Sequence, residues 1–438
     1  MNSARIHNLL LYAFIATLIY FPLAFASTRP VFAAPGQIML QAIAIGCLFY
    51  YAYYKPVLPK ALYIARLPIA LLLIFLALQV TLHFTGIHYL DEYGIREQLL
   101  KTVCLIQIFC LMLFLVDSSK HLKLLVGALV LSGVFQAVYG TLMTVTGTEH
   151  IWNQPKEHYL GLATGTFVSR NHLAGYLELT LALGIGLLIA NLEQGTLRTW
   201  RQRLRSWTNT LLGEKARVRI YLALMVIGLI MTHSRMGNTA FFSAMLISGG
   251  LGLFLFRRSS KGVIVLFSSL LIIDIFLLGA FFGIDKVQER IKNTSLEETR
   301  FEVNLLSLKI IDEHPIFGTG LGSWYTAFAP QRDNSVVSFY DHAHSDFIEF
   351  PSELGVAGTF LLALFSTLCL YRAIRVQLER RNQLMRAMGF ATTMSIISIL
   401  IHSSVDFNLQ IFANAATFIS ILALPWIASV ISPRQSQL

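Results

Sequence analysis

The stretch FYDHAHSDFIEF, Phe339–Phe350, sets two histidines, two aspartates and a glutamate in a chain that is otherwise mostly apolar. Its His342, His344 and Asp346 fit three different chemistries. In an extended segment all three point to one face, as a metal site of two histidines and one carboxylate requires. In a helix His342 and Asp346 pair at i, i+4 while His344 faces away. A lone histidine, with an ordinary pKa of about 6.5, suits removal of a proton from a hydroxyl. A solvated loop needs no chemistry at all. Nothing else in the sequence resembles HExxH or a Cys/His cluster.

Three more stretches put charge at the end of an apolar run, where it is costly and tends to serve a function. In GTFVSRNHLAGYLEL, Arg170, Asn171 and His172 open a span, and Glu178 lies about two turns inside it. Arg170 and His172 also read as interfacial side chains that snorkel to water. Glu178, at that depth, needs a partner. His172, Gly175 and Glu178 repeat at spacings of three, which predicts a polar seam into the bundle. In MTHSRMGN the next span starts almost at once after Gly237, so Arg235 is expected to have little room to reach bulk water. In LEETRFEVN, Arg300 shares a helix with Glu297 and Glu298, and a surface ion pair of under ~1 kcal/mol would account for it.

The elements that carry these residues follow from composition. Of 438 residues 55% are hydrophobic and 13% charged, about half the charge of a soluble domain. Apolar runs near the length of a bilayer recur throughout. They do not alternate, which excludes a transmembrane β-barrel. The sequence therefore predicts an all-α, polytopic membrane bundle of about twelve spans. These fall at 7–27, 31–53, 67–86, 100–117, 122–146, 171–192, 219–233, 237–256, 262–283, 353–371, 387–404 and 408–431. The first apolar run reads as span one, not as a cleavable leader.

About two-thirds of the 34 Lys and Arg lie in alternate connections, which places both termini in the cytoplasm by the positive-inside rule. The net charge of +10 is concentrated in loops such as WRQRLRSWTNTLLGEKARVR, an anchor to anionic lipid; nucleic acid is not an expected partner. His172, Arg170, Arg235, Arg300, His342 and His344 then all fall on the outer side. The connection 284–352 is the only one large enough to form a small domain. It is expected to contain a surface helix with Leu305, Leu306, Leu308, Ile310 and Ile311 on its apolar face, ended by Pro315. Cys47, Cys104, Cys110 and Cys369 sit in apolar runs and read as small core or lipid-facing residues.

Taken in order, GTFVSRNHLAGYL, THSRMG, TRFEVN, HPIFGTGLGSW and AHSDFIEFPSELGVAG resemble the O-antigen ligase and polymerase superfamily of bacterial envelope glycan assembly. The likeness covers roughly Gly165–Gly358. Ser345 stands where the family's His-Asn motif has asparagine, and Met236 separates Arg235 from Gly237. The resemblance divides the chain into N-terminal transmembrane helices at 1–164, a catalytic membrane region at 165–431 that includes the periplasmic loop 284–352, and a cytoplasmic tail at 432–438.

The activity it implies is a membrane glycosyltransferase of the bacterial inner membrane, working at the periplasmic face. It moves a preassembled glycan from undecaprenyl diphosphate to an acceptor hydroxyl, with no metal or other cofactor and with inversion at the sugar. A lipid A core acceptor, as in a ligase, is the first expectation. Lipid-linked repeats, as in a polymerase, or a protein hydroxyl are the alternatives. The resemblance makes His344, Arg235 and Arg300 catalytic. Arg170, Asn171, His172, Asp346, Glu353, Gly318 and Gly320 become candidate substrate-binding residues, with Asp346 or Asp341 orienting His344 and His342 a bystander. Arginine forks suit a diphosphate leaving group. A transporter for lipid-linked sugars is the rival class, and it calls for broken helices near the bilayer midplane.

Overall fold

The computed structural model describes residues 3–88, 90–191, 214–255, 295–336 and 338–431, without the side chains of 214–215, 253–255 and 295–299. The ninth expected span at 262–283, most of the basic loop, residues 284–294 and the tail lie outside the described residues.

Helices form where the apolar runs end in capping residues. They are α1 (Ser3–Leu23), α2 (Pro30–Tyr54), α3 (Lys60–Ile64), α4 (Arg66–Phe84), α5 (Glu92–Leu115), α6 (Ser119–Thr146) and α7 (Arg170–Ala190). After these come α8 (Glu214–Met231), α9 (Arg235–Leu255), α10 (Ser295–Glu313), α11 (Trp324–Phe328), α12 (Asp346–Glu379), α13 (Gln383–His402) and α14 (Phe412–Ala428). Proline opens α2 at its first position, where a missing N–H costs nothing. The side chains of Asp91, Ser118 and Asn382 accept from the backbone N–H three residues on, at 2.8, 3.2 and 3.2 Å, and so fix the starts of α5, α6 and α13. The described strands are β1 (His150–Ile151) and β2 (Gln154–Pro155), a two-residue antiparallel hairpin.

The chain is thus an all-α polytopic membrane protein. Among the described residues eight helices are long and apolar enough to cross a bilayer: α1, α2, α4, α5, α6, α7, α12 and α13. α8, α9 and α14 occupy three of the other expected spans, α14 being a shorter apolar helix. Buried on every residue, α14 lies at the centre, against α7 and α13.

Helix ends alternate as expected. At one end Leu23 O accepts from Trp152 Nε1 (2.9 Å), Met231 O from Ala163 N (3.1 Å) and Ser403 O from Asp346 N (3.0 Å). At the other, His7 Nε2 meets Leu115 O at 3.1 Å and Gln383 Nε2 donates to Ile189 O at 2.8 Å.

The long connection does contain a helix, α10, but with a different buried face. Val303, Leu306, Ser307 and Ile310 are buried, whereas Leu305 and Leu308 are exposed. That face joins Trp324, Phe328, Tyr340 and Ala343 in a small second core. Trp324 Nε1 donates to Ser307 Oγ at 3.1 Å. Burying the indole N–H is what demands a serine on that face.

The glycines of HPIFGTGLGSW have a packing role in this arrangement. α12 kinks at Gly355 (φ 59°, ψ −170°), a region only glycine visits freely. Into the kink runs the loop 315–320, with Thr319 N donating to Ser352 O, Gly320 N to Glu353 O, Val356 N to Pro315 O and Ala357 N to Ile316 O, all at 2.8–3.1 Å. A Cβ on Gly318 would strike the Glu353 carbonyl, and one on Gly355 the Ile316 carbonyl. Gly320 faces Ile95 and His88. Gly318 therefore brings backbone against backbone, while Gly320 holds α12 through its N–H. Gly355→Ala should cost about 2–4 kcal/mol, read as a lower unfolding temperature in detergent.

Candidate active site

His342, His344 and Asp346 are set by the join between loop and helix, which is neither extended nor helical through all three. His344 adopts a left-handed conformation (φ 55°), unusual for a residue with a side chain. α12 begins two residues later at Asp346. Asp346 N donates to Ser403 O and Asp406 O, Ser403 Oγ donates to Asp346 Oδ2 at 2.6 Å, and Leu409 N donates to the same oxygen at 3.2 Å. Asp346 is thus committed to the turn between α13 and α14, which it locks to the start of α12. It does not orient His344, whose buried Nδ1 has no hydrogen-bond partner among the described residues.

That turn supplies Phe407, the ring on which three imidazoles meet. His342 stacks face-on, with centroids 4.1 Å apart and planes 17° from parallel. His172 and His344 stand nearly perpendicular to the ring, with centroids at 4.7 and 4.9 Å and planes at 77° and 75°. His172 reaches the ring from the first turn of α7, where Asn414 Nδ2 donates to its carbonyl (3.0 Å) and its Nε2 lies 3.6 Å from Asp406 Oδ1. Phe407 N donates to the same Asp406 oxygen at 2.8 Å. Burial alone would raise the Asp406 carboxyl; His172 and the nearby imidazoles outweigh it and hold the group below its usual range.

His342, expected to be a bystander, has the strongest tie of the three. Its Nδ1 lies 2.6 Å from Glu349 Oε1, and Ala343 N donates to Glu349 Oε2 at 2.9 Å. Burial would depress this imidazole, but the charge and hydrogen bond of Glu349 raise it to about 9. His344 moves the other way: burial, then the charge of Arg300, push it down to about 4. Two histidines two residues apart thus hold different protonation states at neutral pH. The donor atoms of His342, His344 and Asp346 do not converge; the one three-donor His/Asp group among the described residues is His7, Asp117 and His121, at the opposite end.

The polar seam of α7 is present. Glu178 is fully buried and meets His402 Nδ1 at 2.7 Å, while Ser398 Oγ donates to it at 2.6 Å. Gly175 packs against Asn408, and Gly237, just past the Arg235 turn, packs against Ala174 and Glu178. Arg235 itself opens α9 and is exposed, so its turn does not confine it as expected. Arg300 is half-buried on α10, and its Glu297 and Glu298 neighbours have no described side chains. Arg170 lies over the Tyr159 ring at 5.8 Å. Asn171 is half-buried, its backbone N–H donating to Ser169 Oγ at 3.3 Å. Glu353 is buried, with Trp324 N donating to its Oε1 at 3.1 Å.

Beside this cluster an apolar groove of about 370 Å³ runs between α4, α5, α12, α13 and α14. Leu72, Phe75, Leu105, Phe365 and Leu422 line it, and Asp346 and Ser403 stand at its polar end.

Sequence reasoning missed His402, Asp406 and Phe407. The signal was IHSSVDFN, charge at the end of a span on the same side as the other motifs, which the test applied to Arg170 and Arg235 would have caught. His402→Ala leaves Glu178 buried without its base, so it should destabilise the protein by about 3–5 kcal/mol. Chemical unfolding in detergent measures this.

No curated protein matches the chain. Residues 220–363 match a family model described as O-Antigen ligase, a span from within α8 through Arg235, Arg300 and His344 into α12. Over these residues the chain is similar to the O-antigen ligase family, a likeness that supports the O-antigen ligase superfamily and, at the level of that family, glycosyl transfer of the ligase or polymerase type.

Proposed function

We propose that the protein transfers a preassembled glycan from undecaprenyl diphosphate to an acceptor hydroxyl, at the periplasmic face of the bacterial inner membrane and without a metal. The observation that carries this reading is the His344 imidazole, its buried Nδ1 without a hydrogen-bond partner among the described residues and Arg300 near enough to depress it, at the polar end of a bundle with an apolar groove beside it.

In this mechanism the groove takes the donor's lipid tail and Arg235 and Arg300 take the diphosphate. The acceptor oxygen attacks the anomeric carbon as the bond from that carbon to the phosphate oxygen breaks. The hydroxyl proton passes to His344, and the electron pair leaves with the diphosphate, whose growing charge the guanidinium forks stabilise. One displacement inverts the anomeric centre. Before the donor binds, burial and Arg300 keep His344 a weak base. A bound diphosphate neutralises Arg300 and so raises the basicity of His344 only when there is a glycan to transfer. Arg170, Asn171 and His172 flank the same end and belong to substrate binding. We assign the acceptor to the lipid A core; lipid-linked repeats and protein hydroxyls use the same chemistry.

Purified protein given a lipid-diphosphate glycan and these three acceptors side by side should release polyprenyl diphosphate and label the core lipid, with or without EDTA. His344→Ala should lower turnover at least ~100-fold with the fold intact. Arg300→Lys should lose at least ~10-fold although the charge is kept, because the fork is gone. Full activity in His344→Ala would rule out the base.

A further inference from the structure

We propose that His342, clamped by Glu349, is a further anion-binding residue of this site: an imidazolium whose Nε2–H donates to the diphosphate of the donor. This deepens the function proposed above and rests on it.

The geometry separates His342 from its neighbours. Glu349 is almost fully buried, and a carboxylate so placed needs a positive partner as well as hydrogen bonds. One of its oxygens is used by Ala343 N and the other by His342 Nδ1 at 2.6 Å. Of the three imidazoles on Phe407, His342 is the one stacked on its face (4.1 Å, 17°), the arrangement in which a cation gains from the ring's negative face. With Nδ1 held, the remaining donor is Nε2, on a side chain 26% exposed, so the imidazolium is anchored at one edge and open at the other. A fixed cation of this kind serves a doubly charged leaving group without the entropy cost of ordering a free side chain.

Charged and titratable groups around it are Glu349 and Glu353 on α12, Asp341 and His344 on its own segment, Asp406 beside Phe407, His172 on α7 and Arg300 on α10. The acids on α12 and Asp341 hold His342 charged. A group whose pKa is raised keeps its charge below that value and loses it as pH rises through it, here through about 9.

Farnesyl diphosphate binding to the full-length protein in detergent tests this as a function of pH. Wild type should bind with constant affinity at neutral pH and weaken as pH rises through about 9. In Glu349→Gln the loss should move at least one pH unit lower. His342→Gln should bind at least ~10-fold more weakly at pH 7 and lose the alkaline dependence, and His342→Lys should recover part of the affinity. In the transfer assay His342→Gln should raise the donor KM more than it lowers kcat. If His342→Gln fails to fold, Glu349→Gln and His342→Lys still report the pH limb and the charge. Unchanged affinity and an unmoved alkaline limb in all three variants would overturn the assignment while leaving the transferase reading intact. A wild type that transfers no glycan and binds no farnesyl diphosphate would overturn both.

Discussion

A carboxylate buried in a membrane bundle must be neutralised or fully hydrogen-bonded, and the arrangement of this protein's site follows from that constraint. Among the described residues the buried acids are Glu178, Asp346, Glu349, Glu353 and Asp406, and all five lie at one end. Each is met by a group from a different part of the chain. Glu178 on α7 meets His402 and Ser398 on α13, and Asp346 on α12 meets Ser403 and the backbone of Leu409. Glu349 meets His342, Glu353 the backbone of Trp324, and Asp406 lies by His172. These pairs pin α7, α12, α13, the turn before α14 and the long connection together where the histidines gather. The opposite end carries no buried acid among the described residues.

Phe407 gives the cluster its shape. One ring accepts His342 on its face and two other imidazoles nearly perpendicular to it, which holds three titratable groups close without placing them in one hydrogen-bonded chain. Their environments then diverge. His342 has a buried carboxylate at 2.6 Å, while His344 has an arginine for a neighbour and no partner for Nδ1 among the described residues. A charged and a neutral histidine side by side suit a reaction in which one group takes a proton while negative charge grows on another.

Much of this was legible in the sequence because it rests on cost. Apolar runs without alternation gave an all-α membrane bundle, and the depth of Glu178 called for a partner, which His402 and Ser398 supply. What stayed hidden depended on tertiary contact. The HxHxD spacing treats His342 and Asp346 as equals, but only the fold shows that Asp346 turns to Ser403 and His342 to Glu349. GTGLG gives no sign of the kink at Gly355, which needs the bare backbone of Gly318 beside it. On α10 the periodic leucines suggested one face, yet Trp324 selects the neighbouring face through Ser307. The weight of Phe407 has no signature in one sequence, because a single aromatic residue in a short turn looks like any other.

The most direct test of the account is a structure of the protein bound to a non-transferable analogue of a lipid-diphosphate sugar. The account predicts the diphosphate within hydrogen-bonding distance of Arg300 and His342, the anomeric carbon facing His344, and the lipid tail along the groove between α4, α5, α12, α13 and α14. A diphosphate bound at the opposite end of the bundle, or a tail lying elsewhere with His344 remote from the sugar, would contradict it.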